Sequence, residues 1–175
     1  MVVVLMGVTG TGKTTVGQAL ARRMGWEFAD ADDFHSAANR AKMSAGIPLT
    51  DRDREPWLAS LHDQIQQWLR MGTSAVLACS ALKASYRRAL AGDSPQSAVR
   101  FVYLSGPEAV IQARLQARRG HYMPPSLLQS QLATLEPPVD AIQISIAQSV
   151  SAIVEQIVSA LAAEGYAGTS STSGG

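Results

Sequence analysis

Five short apolar runs punctuate the chain, and between them lie longer segments in which apolar residues recur at helical spacing. The runs, Val2 to Met6, Glu27 to Asp30, Ala75 to Cys79, Arg100 to Leu104 and Ile142 to Ile146, read as strands. Their alternation with helices predicts an α/β fold: a five-stranded parallel sheet with helices on both faces. The last helix has the plainest stripe, because Val150, Ile153, Val154, Ile157, Val158 and Leu161 fall three and four residues apart. A second stripe, Trp57, Leu58, Leu61, Ile65, Trp68 and Leu69, lies in the segment 34–72, which is longer than a simple crossover and is expected to form an insertion over the strand ends.

The remaining punctuation sets the boundaries. "RRGHYMPP" joins basic residues to a Pro-Pro stop and interrupts the helix that begins near Pro107, as a mobile lid over about 118–126 would. Residues 165–175 are almost wholly glycine, serine and threonine and are expected to be a disordered tail, leaving 1–164 as a single domain. The charges nearly cancel, at 15 Lys plus Arg against 14 Asp plus Glu, so no global field recruits nucleic acid or an anionic membrane. Cys79 is the only cysteine, which fits a reducing compartment. "MVVVLM" has no basic leader and no cleavage site, and no apolar stretch approaches the ~20 residues of a membrane span. A soluble cytoplasmic protein is expected.

One motif carries strong chemistry. Gly7 to Thr14 satisfies G-x-x-x-x-G-K-[ST], with a predicted strand before it and a helix after it. Glycines at Gly7, Gly10 and Gly12 let backbone N–H groups of Val8, Thr9 and Thr11 turn toward one point, which the positive end of the next helix also faces. Such a nest suits the polyphosphate of ATP. Lys13 reaches the β- and γ-phosphates, the Thr14 hydroxyl is placed to ligate Mg²⁺, and Thr15 supports them one step along the helix. Further on, "FADADDFH" puts Asp30 and Asp32 on one side of a strand end. One carboxylate there can serve a metal while the other accepts the proton of an attacking hydroxyl. His35 either bonds a polar substrate or simply begins the next helix. Cys79, with no histidine motif paired to it, reads as a small buried residue, and His35, His62 and His121 show no zinc spacing.

"GVTGTGKTTVGQAL", "DADDFHSAANRAKMSAGIPLTDRDREPWL", "ACSALKASYRRAL" and "ARRGHYMPPSLLQSQLATLEPP" occur in an order and spacing that resembles the small P-loop gluconokinases, relatives of shikimate and adenylate kinases. The likeness spans Met1 to Leu161; threonine stands for serine at Thr9, Thr11 and Thr14, which keeps every hydroxyl. The resemblance implies a P-loop kinase fold, ATP and Mg²⁺ as cofactors, phosphorylation of D-gluconate at its 6-hydroxyl, and a homodimer. It also implies that Asp30 supports the metal and that Asp32 orients or deprotonates the hydroxyl.

A gluconate pocket needs a cation for the carboxylate and hydrogen-bonding groups for the polyol. "DRDREPWL" offers Arg52 and Arg54, and "CSALKASYRR" offers Ser80, Lys83, Tyr86, Arg87 and Arg88. Arg54, Lys83 and Arg87 are the favoured cations, with Lys42 a further candidate, and Ser80 lies at a strand end that opens on the substrate side. Spacing of four puts Arg114 and Arg118 on one helix face. In similar kinases the earlier arginine stacks on adenine and the later one meets the transferring phosphoryl group. His121 and Gln131 belong to the matching block; Gln131 is set among the substrate-binding residues by that likeness alone. Two rival readings are another small-molecule kinase acting on shikimate or a nucleoside monophosphate, and a non-enzymatic nucleotide-switched binding module.

Overall fold

The computed structural model describes residues 1–117 and 125–166. In chain order it comprises β1 (Val2–Met6), α1 (Lys13–Met24), β2 (Glu27–Asp30), a 3-10 turn (Ala31–Phe34), α2 (Ala37–Ser44), α3 (Asp51–Arg70), β3 (Ala75–Ala78) and α4 (Ala84–Ala91). There follow β4 (Val99–Ser105), α5 (Glu108–Ala117), α6 (Pro125–Thr134), β5 (Ile142–Ser145) and α7 (Val150–Ala163). All strand pairs are parallel, in the order β2-β3-β1-β4-β5.

Alternation along β1 divides the core into two. Val3 and Leu5 enter a layer with Leu20 of α1, Ile111 of α5, Leu128 of α6 and Ile153, Ile157 and Leu161 of α7. Val2, Val4 and Met6 face the other way, against Leu61 and Ile65 of α3 and Leu90 of α4. All five β1 residues are fully buried, which explains why the run is apolar without interruption: a central parallel strand has no wet face. Each fully buried aliphatic side chain contributes about 1.5–3 kcal/mol relative to its exposed state.

Of the segment 34–72 expected as an insertion, the greater part is α3 itself, the crossover helix, whose Leu61 and Ile65 are fully buried on the sheet. Only the 3-10 turn, α2 and the loop to Thr50 are additional, and α2 is tied to the first turn of α3 by Asn39 Nδ2 donating to the Asp53 carbonyl (2.8 Å) and by a Lys42–Asp53 ion pair (2.7 Å). At the other end, Gly165 and Tyr166, expected in the tail, close α7: the Tyr166 N–H donates to the Leu161 carbonyl (3.0 Å) and its ring packs on the first core layer. Among the described residues no helix is long and apolar enough to cross a membrane. The lid expected over about 118–126 falls largely on residues 118–124, outside the described residues, as do 167–175 of the tail.

β1 gives way to the Gly-rich loop, β2 to the Asp32 turn and β3 to the Cys79–Lys83 loop, all at the carboxyl edge. In this order the chain leaves β1 in one direction for β2 and later crosses back over β1 to reach β4, which opens the crevice where ligands of such sheets bind.

Candidate active site

The loop between β1 and α1 adopts the conformation its glycines predict. Gly7 has φ +144°, and a Cβ there would lie 2.6 Å from the Leu104 carbonyl oxygen. Gly10 has φ +83°, and its Cβ would lie 2.9 Å from Leu115 Cγ. Both positions exclude any side chain, on strain and on space. Thr11 is buried and its hydroxyl donates to the Val8 carbonyl (2.9 Å), bracing the loop from within. Lys13 Nζ curls over the loop and donates to the Gly7 and Val8 carbonyls (3.0 Å each), which keeps the ammonium at the nest.

Two distant elements fasten this loop. Gln131 of α6 accepts from the Thr9 N–H (2.6 Å). The Arg114 guanidinium of α5 donates to the Ile146 carbonyl (2.7 Å) and to the Thr11 carbonyl (3.5 Å). Beside it lies a cavity of about 210 Å³ lined by Gly10, Gly12, Thr15, Val16, Arg114, Val150 and Ile153, an apolar slot with one guanidinium on its wall.

On the β2 side, the Thr14 hydroxyl donates to Asp30 Oδ2 (2.7 Å), while Asp30 Oδ1 accepts from the Asp32 N–H (3.1 Å). Asp30 thus connects the first turn of α1 to the turn that carries Asp32. A threonine hydroxyl beside a carboxylate fits Mg²⁺, a hard cation that takes one or two protein oxygens and fills its shell with water and substrate phosphates. Among the described residues no three His, Cys, Asp or Glu side chains cluster to cage a metal by themselves.

Asp32 remains accessible, yet the crowding of its carboxyl by protein raises its pKa, and Asp30 beside it adds to the rise; His35 and Lys13 pull the other way. His35 is buried (6% exposed) and its pKa is lowered by that burial, so the ring is neutral near pH 7. It stacks on Trp57 with ring centroids 4.5 Å apart and 10° between planes.

The three favoured cations occupy different settings. Lys83 is engaged by Asp51 (2.7 and 2.9 Å), which also accepts from the Tyr86 hydroxyl (2.5 Å). Those bonds hold the Asp51 carboxyl below the usual carboxylate range and raise Lys83. Arg54 borders the same cluster, 3.4 Å from the Tyr86 hydroxyl and 3.8 Å from Asp51, and its side chain keeps 32% of its exposure. Arg87 points inward and donates to the Ala81 and Leu82 carbonyls (3.0 and 3.1 Å). Lys42, the further candidate, pairs with Asp53.

Arg87 serves a strained loop. Ala81 has φ +43°, the one non-glycine with positive φ among the described residues. Glu136 closes the loop from the far side, accepting from the Ala84 N–H (2.7 Å) and donating its own N–H to Leu82 (2.9 Å). Ser80 lies just before Ala81, and its carbonyl accepts from the Gly7 N–H (3.3 Å), so this loop abuts the phosphate nest. Cys79 beneath it is buried, with its thiol pushed up to about 12 by desolvation, and stays protonated.

The structure therefore gathers Gly7–Thr15, Asp30, Asp32, Ser80, Arg114 and Gln131 at one edge, with Arg54, Lys83 and Tyr86 on the adjoining helices. Gln131 meets the phosphate loop directly rather than the Arg54–Lys83 cluster. Arg118 and His121 lie outside the described residues. Asp51, Glu136 and Trp57 were not expected to take part. Asp51 stands at the first position of a capped helix, where a carboxylate is ordinary, and Glu136 touches a loop 52 residues away.

The AAA-domain family model matches residues 2–138. A gluconokinase of Gluconobacter oxydans is 48% identical, covering 92% of this chain and 91% of that protein. A probable gluconokinase of Mus musculus is 45% identical over 91% of this chain and 97% of its own length. The crystal structure of a gluconokinase from Sinorhizobium meliloti superimposes with a TM-score of 0.83 at 44% identity, covering 93% and 91% of the two chains. A shikimate kinase from Aquifex aeolicus reaches only 0.59 at 18% identity, which speaks to the fold alone. With a Gly-rich nest, its lysine and a carboxylate pair at one sheet edge, and with relatives this similar over nearly their full length, the chain belongs to the gluconokinase family of P-loop kinases.

Proposed function

We propose that this protein transfers the γ-phosphoryl group of ATP to the 6-hydroxyl of D-gluconate, yielding 6-phospho-D-gluconate. The observation that carries the reading is the run of bonds from Thr14 through Asp30 to the Asp32 turn. It joins the phosphate nest to a carboxylate on the turn that follows β2, two strands along the same sheet edge, so the donor and acceptor we assign share one crevice.

Within that crevice the loop N–H groups and Lys13 hold the phosphates, and the ammonium exchanges its loop carbonyls for phosphate oxygens. Thr14 and Asp30 would hold Mg²⁺, which would supply positive charge to offset that of the phosphates. Asp32 accepts a hydrogen bond from the 6-hydroxyl and takes its proton as the bond to phosphorus forms. Because a loose transition state asks little of a base, alignment is its larger contribution. Arg54, at the border of the Asp51 cluster with part of its surface open, suits the gluconate carboxylate; Lys83 and Arg87 support its surroundings. Ser80 and the edge of the buried His35 ring are the polar groups we assign to the sugar chain, and Gln131 steadies the loop apex. The apolar slot beside Arg114 takes the adenine ring. Arg118, outside the described residues, is the cation that the family resemblance assigns to the transferring group, and a site shut off from water would lose its competing acceptor. The family resemblance further supports a single kinase domain, a homodimer and a cytoplasmic setting.

A panel of D-gluconate, shikimate and AMP in an ADP-release assay tests the proposal. We expect turnover on gluconate well above the other two. Turnover of shikimate or AMP without gluconate activity would overturn it.

A further inference from the structure

Asp32 hangs on a 3-10 turn of only four residues, Ala31–Phe34, between a strand end and α2. Its local bonds include the Asp30 cap and a long one, the His35 N–H to the Asp32 carbonyl at 3.4 Å. Short turns of this kind have poor hydrogen-bond geometry and hold their shape only when something outside fixes them. Here one side chain touches both ends. Trp57 Nε1–H donates to the Ala31 carbonyl (2.7 Å) at the front of the turn, and its indole face lies flat on the His35 ring behind it. Trp57 and His35 are 8% and 6% exposed, so neither contact is shared with bulk water.

The His35 ring carries a second sign of this constraint. Its Nδ1 is buried and has no hydrogen-bond partner among the described residues. Leaving a buried polar atom without a partner is unfavourable, and with Nδ1 unpaired the observed hold on the ring is its face on the indole. Trp57 also follows Arg54 by three positions on α3, which makes the two neighbours along that helix.

Resting on the reading of Asp32 given above, we propose that Trp57 is a positioning residue: gripping the turn at Ala31 and His35, it sets the Asp32 carboxylate opposite the acceptor hydroxyl and locks that distance to the helix bearing Arg54. Misplacement by a fraction of an ångström costs rate while leaving nucleotide binding alone.

The test compares two indole N–H bonds on one helix. Trp57→Phe keeps an aromatic face and loses the bond to Ala31. Trp68→Phe loses an equivalent bond to Glu27 Oε2 (2.8 Å) at the opposite end of β2, away from the chemistry. We expect Trp57→Phe to lower kcat by roughly tenfold or more, with KM for ATP little changed and a larger share of ADP released without gluconate phosphorylation. Trp68→Phe should lower Tm but keep kcat. Equal kcat in both variants would overturn the inference. Asp32→Asn is run alongside: if it loses turnover while Trp57→Phe does not, the inference alone fails, and if it keeps full rate, the role of Asp32 fails and the inference with it. Should Trp57→Phe not fold, benzothienylalanine at position 57 preserves the ring pair and removes only the N–H; the same drop in kcat supports the proposal and an unchanged kcat overturns it.

Discussion

At the level of single residues, Asp32, the carboxylate we propose to meet the acceptor, shows what catalysis would ask of stability. Crowding and Asp30 raise the pKa of Asp32 above its unfolded value, so the folded protein binds that proton more tightly than the unfolded chain does. Stability is therefore eroded as pH rises from below the ordinary aspartate range through the raised folded value, because ionised Asp32 is disfavoured in the fold. Asp32→Asn removes the ionisation. We predict a higher Tm than wild type at pH 7, a gain that vanishes near pH ~3, and a loss of turnover of about a hundredfold or more with ATP binding intact. A Tm at pH 7 below wild type would contradict the electrostatic argument, and full turnover would contradict the role. Lys13→Ala is expected to abolish nearly all turnover, measured by ADP release, since it removes the ammonium that the Gly7 and Val8 carbonyls hold at the nest.

At the level of elements, helix starts aim the site. Thr50 and Asp53 form a full capping box at α3: the Asp53 N–H donates to Thr50 Oγ1 (3.2 Å) and the Thr50 N–H to Asp53 Oδ2 (2.9 Å). Lys42 and Thr50 bring the Asp53 carboxyl to about 2. Its folded pKa lies below the unfolded one, so the stability it adds is present above the unfolded value and lost as pH falls through about 2. Thr50→Ala should cost about 1 kcal/mol by denaturant titration. Because the first turn of α3 carries Arg54, KM for gluconate should rise more than KM for ATP; a selective rise in KM for ATP would show that this turn serves the nucleotide instead. At the third strand end, Ala81→Gly relieves a left-handed φ and should leave stability unchanged or improved by about 1 kcal/mol, whereas a clear loss in chemical denaturation would mean the methyl group packs usefully.

Across the whole molecule, the parts readable from sequence are those set by local patterning. β1 and β2 lie where the apolar runs place them, because a buried parallel strand and its flanking turns are written in consecutive residues. The phosphate nest is legible for the same reason: three glycines, a lysine and a threonine act within eight positions. Contacts between distant segments were not. Nothing near Gln131 announces that its side chain reaches the Thr9 N–H across 122 residues, and nothing near Lys83 announces that Asp51 occupies it. Trp57 reads as one more apolar residue in a stripe, since periodicity reports that a side chain is buried and not which carbonyl its indole N–H meets. A family likeness supplies residue types at such positions; the geometry that gives them work comes from the sheet order, which sets β3 beside β1 and β2 beyond it, with their carboxyl ends at one edge.

The proposed reaction presents an alcohol, and not water, to the phosphate held at the Gly7–Thr14 loop. Its most direct test is NMR of the product formed from ATP, Mg²⁺ and D-gluconate labelled with ¹³C at position 6. The expected product is a single phosphomonoester whose phosphorus couples to the labelled carbon. Inorganic phosphate as the only new phosphorus species besides ADP, or an ester without that coupling, would contradict it.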